Sequence, residues 1–152
     1  MQDPGTVRVI NPLIGGELMA GHAYTLQARM CQNWGYAKLA EHLMKEAAEE
    51  AGHAVRLMDR VLWLGGAPDM SHPEVPVDES VPAMMERTAE LERKAVADYR
   101  KAAVTCLTMG DTESMHLFQE LAGDEEGHLH WAETQLRLIK EIGLQNFLTE
   151  WM

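Results

Sequence analysis

Four long stretches of the chain repeat apolar residues with a helical period and contain no strand-like alternation. Pro12 falls either at the first turn of the first stretch or at a kink within it. We therefore expect an all-α protein. The predicted helices run from Val7 to Asn33, Tyr36 to Leu64, Ser80 to Thr108 and Thr112 to Ile142, and a short amphipathic tail follows Gly143.

The connections between these helices predict the topology. Short turns at Gly35 and at Gly110-Asp111 make each consecutive pair of helices antiparallel. The segment from Gly66 to Glu79 contains three prolines, and at roughly 3.3 Å per residue it can run the height of a bundle. We predict one domain, residues 1–152, that forms a four-helix bundle with one long crossover between helices two and three, plus a short C-terminal helix.

The charge balance excludes some classes of partner. The sequence has 24 acidic and 13 basic residues and a formal net charge of -11, which would repel nucleic acid but attract cations. We find neither a signal-peptide pattern nor an apolar run long enough for a membrane span, so we expect a cytoplasmic protein without a membrane partner. Cys31 and Cys106 are too few for a disulfide framework or a zinc site.

Two predicted helices each carry a Glu and a His three residues apart. These motifs are Glu50-Ala51-Gly52-His53 and Glu125-Glu126-Gly127-His128, and each lies near the midpoint of its helix with both side chains on one face. A third copy, Glu113-Ser114-Met115-His116, lies near a helix end and about 120° around it from Glu125, so we interpret it as surface.

The other two long helices each supply one glutamate near the middle. Glu17 lies in an otherwise apolar stretch, where a lone buried carboxylate would be costly without a partner. Glu92 borders the apolar stripe of the third helix, whereas Glu90 leans outward. That stripe consists of Leu91, Ala95, Tyr99 and Ala102.

One Glu from each of two helices and a Glu-x-x-His from each of the other two form the ligand pattern of di-iron carboxylate bundles. Four carboxylates with one imidazole per metal suit iron, with manganese as the second candidate. We therefore predict two iron ions per subunit. The plainer alternative is a bundle with buried polar contacts. That alternative would have to treat as chance the fact that six possible metal ligands fall at the same height of the bundle. The six predicted ligands are Glu17, Glu50, His53, Glu92, Glu125 and His128.

At these residues the chain resembles a bacterioferritin of the ferritin-like di-iron superfamily, from about Val7 to Phe147. The resemblance implies a ferroxidase that oxidises Fe(II) with O2 or peroxide and stores ferric mineral in a hollow shell of twenty-four subunits. Further matching stretches are Ala28-Arg29-Met30, Asn33-Trp34-Gly35, Lys38-Leu39-Ala40-Glu41-His42, Asp124 with the second motif, Glu133-Thr134-Gln135-Leu136 and Ile142-Gly143-Leu144-Gln145-Asn146.

The resemblance also assigns roles. Glu17 and His53 resemble terminal ligands of one iron, and Glu92 and His128 those of the other. Glu50 and Glu125 resemble the bridging carboxylates. Tyr24, seven residues after Glu17, resembles a family tyrosine beside the ligands, and Trp131 matches a family tryptophan there, although core packing is an equal alternative. The tail, with Phe147, Leu148 and Trp151, resembles a helix that packs at the four-fold axis of the shell.

Two positions depart from the family pattern. Ala51 occupies the position of the methionine that ligates haem at the dimer interface, so we expect haem b to be absent. Met44 and Met58 lie one heptad away, each about 10 Å along the helix axis. Lys45 replaces a histidine that some relatives carry on the inner surface, which puts iron turnover by that route in doubt.

Three rival functions follow from the same pattern. The chain could be a structural or storage subunit of a heteromeric shell, with weak or no oxidase activity and a second bacterioferritin subunit as partner. The second rival is a rubrerythrin-type peroxidase, which normally has an extra iron domain built on four cysteines. The two cysteines of this sequence cannot supply that domain. The third rival, a DNA-protecting mini-ferritin, is disfavoured for two reasons. Those proteins place their iron between subunits rather than within one bundle, and this chain has no basic tail.

Overall fold

The computed structural model describes residues 4–152, which form five α-helices and no β-strand. The all-α prediction is confirmed. The first helix begins at Pro4, earlier than predicted, and it continues through Pro12. No described helix is both long and apolar enough to cross a membrane. The helices are α1 (Pro4–Trp34), α2 (Ala37–Trp63), α3 (Val81–Thr108), α4 (Thr112–Ile142) and α5 (Leu144–Glu150).

Buried contacts between α1 and α3 establish the topology. Glu17 of α1 contacts Tyr99 of α3, while Tyr24 of α1 contacts Glu92 of α3, so the two helices run antiparallel. A turn at Gly35, where φ is 95°, reverses the chain between α1 and α2. Because α1 is antiparallel to both neighbours, α2 and α3 are parallel. The predicted long crossover is therefore confirmed, and it occupies residues 66–80.

The crossover is fixed to α1 near the start of the bundle. The side chain of Asn11 donates to the carbonyl of Ala67 at 3.2 Å and accepts from the backbone N–H of Asp69 at 3.0 Å. Further along, the backbone of Ser71 lies directly over Gly15 of α1, where a Cβ atom would lie 2.6 Å from the Ser71 carbonyl oxygen. The absence of a side chain at Gly15 thus allows this close approach.

Two apolar clusters fill the bundle, one on each side of a polar middle layer. One cluster contains Ile14, Leu57, Tyr99 and Phe118, and the other contains buried residues such as Leu39, Leu43, Met84 and Phe147. The predicted metal ligands fall between these two sets in every long helix. Each helix therefore delivers its polar residues to one level of an otherwise apolar core.

The short helix α5 packs against the second cluster of its own bundle. Phe147 is buried there, and the carbonyl of Trp151 accepts the backbone N–H of Lys38 at 3.0 Å. That N–H belongs to the first turn of α2, whose first donors have no partner within the helix. The position of α5 relative to a four-fold axis stays a prediction.

Replacing Gly15 with Ala should loosen the crossover. The new Cβ would meet the backbone of Ser71, so we expect Gly15→Ala to lower the free energy of unfolding by about 1–3 kcal/mol. Gly16→Ala is the matched control, because nothing lies within 4 Å of a Cβ there and helix propensity favours alanine by up to about 1 kcal/mol. Chemical denaturation measures both. Equal midpoints for the two variants would contradict this account.

Candidate metal centre

Six side chains from four helices meet in the middle layer of the bundle. All six are at most 6% exposed. They form two groups, in each of which one donor atom per side chain lies within 4.8 Å of the others, and Glu50 and Glu125 belong to both groups. The sequence-predicted residues are thus brought together. One group is Glu17, Glu50, His53 and Glu125, and the other is Glu50, Glu92, Glu125 and His128.

Glu50 and Glu125 lie between the two imidazoles. Oε1 of Glu50 is 3.5 Å from Nδ1 of His53 and 3.2 Å from Nδ1 of His128. Oε1 of Glu125 is 3.0 Å and 3.7 Å from the same two atoms. Neighbouring ligands of a metal bound at about 2.1 Å are themselves separated by about 3.0–3.5 Å. The spacing suits two carboxylates that bridge two metal ions.

Each of the other two glutamates lies beside one of the two imidazoles. Oε2 of Glu17 lies 3.5 Å from Nδ1 of His53. Oε1 of Glu92 lies 3.4 Å from Nδ1 of His128. The two imidazole rings are nearly parallel, with centroids 6.3 Å apart, so they flank the bridging carboxylates from two sides.

Eight buried oxygen and nitrogen atoms of these six side chains, all of which could bind a metal, have no hydrogen-bond partner. Each such atom costs about 1–3 kcal/mol, and more when charged, unless something binds it. For two metal ions, the eight atoms would be enough to supply one terminal oxygen, two bridging oxygens and one nitrogen to each ion. They are Oε2 of Glu17, both oxygens of Glu50, Nδ1 of His53, Oε2 of Glu92, both oxygens of Glu125 and Nδ1 of His128.

A buried tyrosine holds the remaining oxygen of each terminal glutamate. The hydroxyl of Tyr24 donates to Oε1 of Glu92 at 2.7 Å, and the hydroxyl of Tyr99 donates to Oε1 of Glu17. The helical period predicted Tyr99 only as part of the apolar stripe, and its contact with Glu17 was not predicted. The available signal was its spacing, since Tyr99 follows Glu92 by seven residues, as Tyr24 follows Glu17.

Three further carboxylates contact the outer nitrogens of the two histidines. Nε2 of His53 lies 3.0 Å from Oδ2 of Asp124, and Nε2 of His128 lies 2.6 Å from oxygens of both Glu46 and Glu49. A carboxylate that accepts the Nε2–H leaves the Nδ1 lone pair free for a metal. The contacts of these residues were not predicted. The available signal was that Glu49 directly precedes Glu50 and Asp124 directly precedes Glu125.

Trp131 lies beside this outer layer. Its ring stacks on His42 with centroids 4.0 Å apart and also contacts Trp151 of the C-terminal segment. His42 in turn pairs with Glu46 at 2.9 Å, and Glu46 contacts His128. Trp131 therefore contacts the group that holds His128 in place, and it packs against the tail.

Burial and mutual contact shift the pKa values of the cluster. Burial alone would lower the pKa of His53, but the close contacts with the carboxylates of Glu125 and Glu17 outweigh it and raise this pKa to about 10. The pKa of His128 is also raised, because contacts with Glu46 and Glu50 outweigh its burial. Burial raises the pKa of Glu50 and of Glu125. The metal-free cluster therefore retains protons at neutral pH.

An opening of about 330 Å³ between α1, α3 and the crossover reaches this cluster. Its inner end is lined by the four carboxylates of the middle layer. Its outer part is lined by Leu13, Pro73, Lys94 and Asp98, of which Pro73 and Lys94 are exposed. Small solutes thus have a route along which they meet carboxylate oxygens.

Comparison with known proteins agrees with this geometry. The family described as "Ferritin-like domain" matches residues 8–142. The "Bacterial ferritin" of Synechocystis sp. is 35% identical over 151 residues, which cover 98% of this chain and 97% of that protein. The chain belongs to the ferritin family. The "Bacterial ferritin" of Pseudomonas aeruginosa is 38% identical over 95% of both chains, and the "Bacterioferritin" of Brucella melitensis is 33% identical over 95% of this chain and 91% of that protein.

This ferritin-family chain is therefore of the bacterioferritin type, and the donor set of its middle layer fits iron. Oxygen donors predominate, and each metal position receives one imidazole. The four carboxylates carry a formal charge of -4 when ionised, which two divalent ions balance. A zinc site would more commonly have fewer carboxylates and four ligands in total.

Removing either tyrosine hydroxyl should weaken metal binding. In Tyr24→Phe and Tyr99→Phe, one terminal glutamate loses the hydrogen bond that orients it, and we expect a 10–100-fold weaker affinity, roughly, for the adjacent ion. Tyr36→Phe is the control, because it is the remaining tyrosine and lies outside the cluster. Titration with Co(II) measures the affinities. If all three variants bound like the native protein, the orienting role would be excluded.

Metal loading should release protons. A metal must displace the protons that the raised pKa values of His53 and Glu125 retain, so the affinity for redox-inert Zn(II) should rise as the pH rises towards 10. Calorimetry in two buffers of different ionisation enthalpy measures the protons released. A binding enthalpy that is equal in both buffers, with an affinity independent of pH, would contradict the assigned protonation.

Proposed function

We propose that this ferritin-family chain is a ferroxidase that oxidises Fe(II) at the six-residue centre and stores the ferric product. The observation that carries the proposal is the set of eight buried donor atoms without hydrogen-bond partners, divided equally between two positions. Iron is the substrate in this proposal. Glu17 and His53 bind one ion, Glu92 and His128 bind the other, and Glu50 and Glu125 bridge the pair.

The shared carboxylates give the centre its two-electron chemistry. Because Glu50 and Glu125 bridge, they hold two Fe(II) ions a few ångströms apart. Each Fe(II) gives up one electron, and one O2 molecule accepts both electrons together with two protons and leaves as H2O2. With peroxide as the oxidant, the same two electrons and two protons give two water molecules.

The opening beside α1 and α3 is the proposed route for Fe(II) and the oxidant. Its inner carboxylates attract a divalent cation, and the net charge of the whole chain does the same over longer distances. Leu13 and Pro73 line the outer part and favour a small apolar oxidant such as O2. Tyr24 and Tyr99 keep the terminal glutamates oriented while the irons change charge.

Storage requires a shell, and we propose that the chain assembles into the twenty-four-subunit shell of its family. The end of α2 exposes large apolar side chains, with Leu62 at 58% and Trp63 at 78% exposure. Exposed apolar surface of this kind is typical of contacts with another chain. This exposed apolar surface supports the proposed assembly with further copies or with a second bacterioferritin subunit.

We propose that the protein lacks haem b. Ala51 is exposed on α2 and offers no atom that can bind iron. Met44 is exposed on the same helix, but it lies two turns from the position that the family uses. An absorption spectrum without a Soret band after haem addition is the expected result, and a Soret band that Met44→Ala removes would contradict it.

Removing one bridging and one terminal ligand should abolish fast iron oxidation. In Glu50→Ala, His128→Ala each metal position loses at least one ligand, and we expect the initial rate of Fe(II) oxidation to fall at least about ten-fold. The matched control is Glu113→Ala, His116→Ala, which removes the same residue types at the same spacing from the exposed surface of α4. Stopped-flow absorbance after mixing with O2 measures the rate.

Two results would decide between the proposals. Equal rates for the double ligand variant and the native protein would exclude the ferroxidase. If the native protein itself oxidised Fe(II) no faster than buffer but still formed a shell, the chain would be a structural or storage subunit of a heteromeric shell.

A further inference from the structure

A second imidazole pair lies outside the metal centre, where the crossover passes over α1. His22 is on α1 and His72 is in the crossover, and both are exposed. Their ring centroids are 5.1 Å apart and their planes are inclined by 78°. The two residues are 50 positions apart in the sequence, so the fold alone brings them together.

The spacing of the two rings suits joint ligation of one ion. Imidazole nitrogens bind a transition metal at about 2.1 Å, and at a tetrahedral angle two such rings have their centroids about 5 Å apart. The observed separation agrees with this value. Their planes are inclined by 78°, an edge-to-face orientation that two rings bound to one tetrahedral ion can also adopt.

One of the two rings is already fixed in a form that can bind a metal. Nδ1 of His72 lies 2.8 Å from the carbonyl oxygen of Pro73. Because a carbonyl only accepts, Nδ1 carries the hydrogen and Nε2 of the neutral ring keeps its lone pair. A backbone carbonyl that binds the second nitrogen is the arrangement that orients histidine ligands in metal sites.

We propose that His22 and His72 form a binding site for a single divalent transition-metal ion, such as Fe(II), Zn(II) or Cu(II). Neutral imidazole suits these borderline cations, and water completes the coordination. The site is distinct from the six-residue centre. None of the six ligands of that centre takes part, so the inference does not rest on the ferroxidase proposal.

The position of this site gives it a second consequence. Pro73, next to His72, lines the opening to the carboxylates, and Ser71 on the other side packs over Gly15. An ion that binds both His22 and His72 ties the crossover to α1 beside this opening. The site would therefore bind a cation where the route to the centre begins. The bound ion would also hold one wall of that route in place.

Zinc binding to the assembled, metal-free protein tests the proposal. Equilibrium dialysis with Zn(II) should show about one ion fewer per chain in His22→Gln and in His72→Gln than in the native protein, and the same deficit in the double variant. His130→Gln is the control, because it removes an exposed histidine of α4 and should leave the number unchanged. Both target histidines are exposed, so folding should be unaffected.

Two further measurements separate this site from the six-residue centre. In the Glu50→Ala, His128→Ala background, the ion that depends on His22 and His72 should remain. Zn(II) should also slow hydrogen exchange in residues 71–75 of the native protein but not of His72→Gln. If either single histidine variant bound as many zinc ions as the native protein with the same affinity, the pair would not be a metal site.

Discussion

Burial of four carboxylates and two imidazoles at one level of an apolar bundle is the constraint on which the rest of the structure depends. Ionised carboxylates in such a layer are strongly unfavourable unless cations or protons compensate them. The raised pKa values of Glu50 and Glu125 show the compensation by protons. In the proposed function two iron ions would compensate the same charge, which would couple iron binding to the pH and to the stability of the bundle.

The two halves of the chain meet this constraint in the same way. In each half, the first helix supplies a glutamate and, seven residues later, a tyrosine, and the second helix supplies an acidic residue followed by Glu-x-x-His. Each tyrosine orients the terminal glutamate of the other half. Each acidic residue, Glu49 or Asp124, contacts the histidine of the other half. The centre therefore forms only when the halves pack together.

The features that could be predicted from the sequence are those that follow from helical periodicity and from the position of a residue along its helix. Sequence reasoning predicted the long helices, the crossover and the six residues of the middle layer, because ligands at helix midpoints must meet in a bundle. It missed the orienting role of Tyr99, since a buried tyrosine on an apolar stripe has the same pattern as a core residue. It could not have found His22 and His72, because their contact depends on the path of an irregular segment over α1.

Anomalous diffraction from crystals loaded with Fe(II) without oxygen tests the central claim most directly, because it locates each ion. The account predicts two iron peaks within the six-residue centre, one beside Nδ1 of His53 and one beside Nδ1 of His128, with Glu50 and Glu125 between them. A single peak, or iron bound at Nε2 of His128 among Glu46 and Glu49, would contradict the assignment of the eight donor atoms.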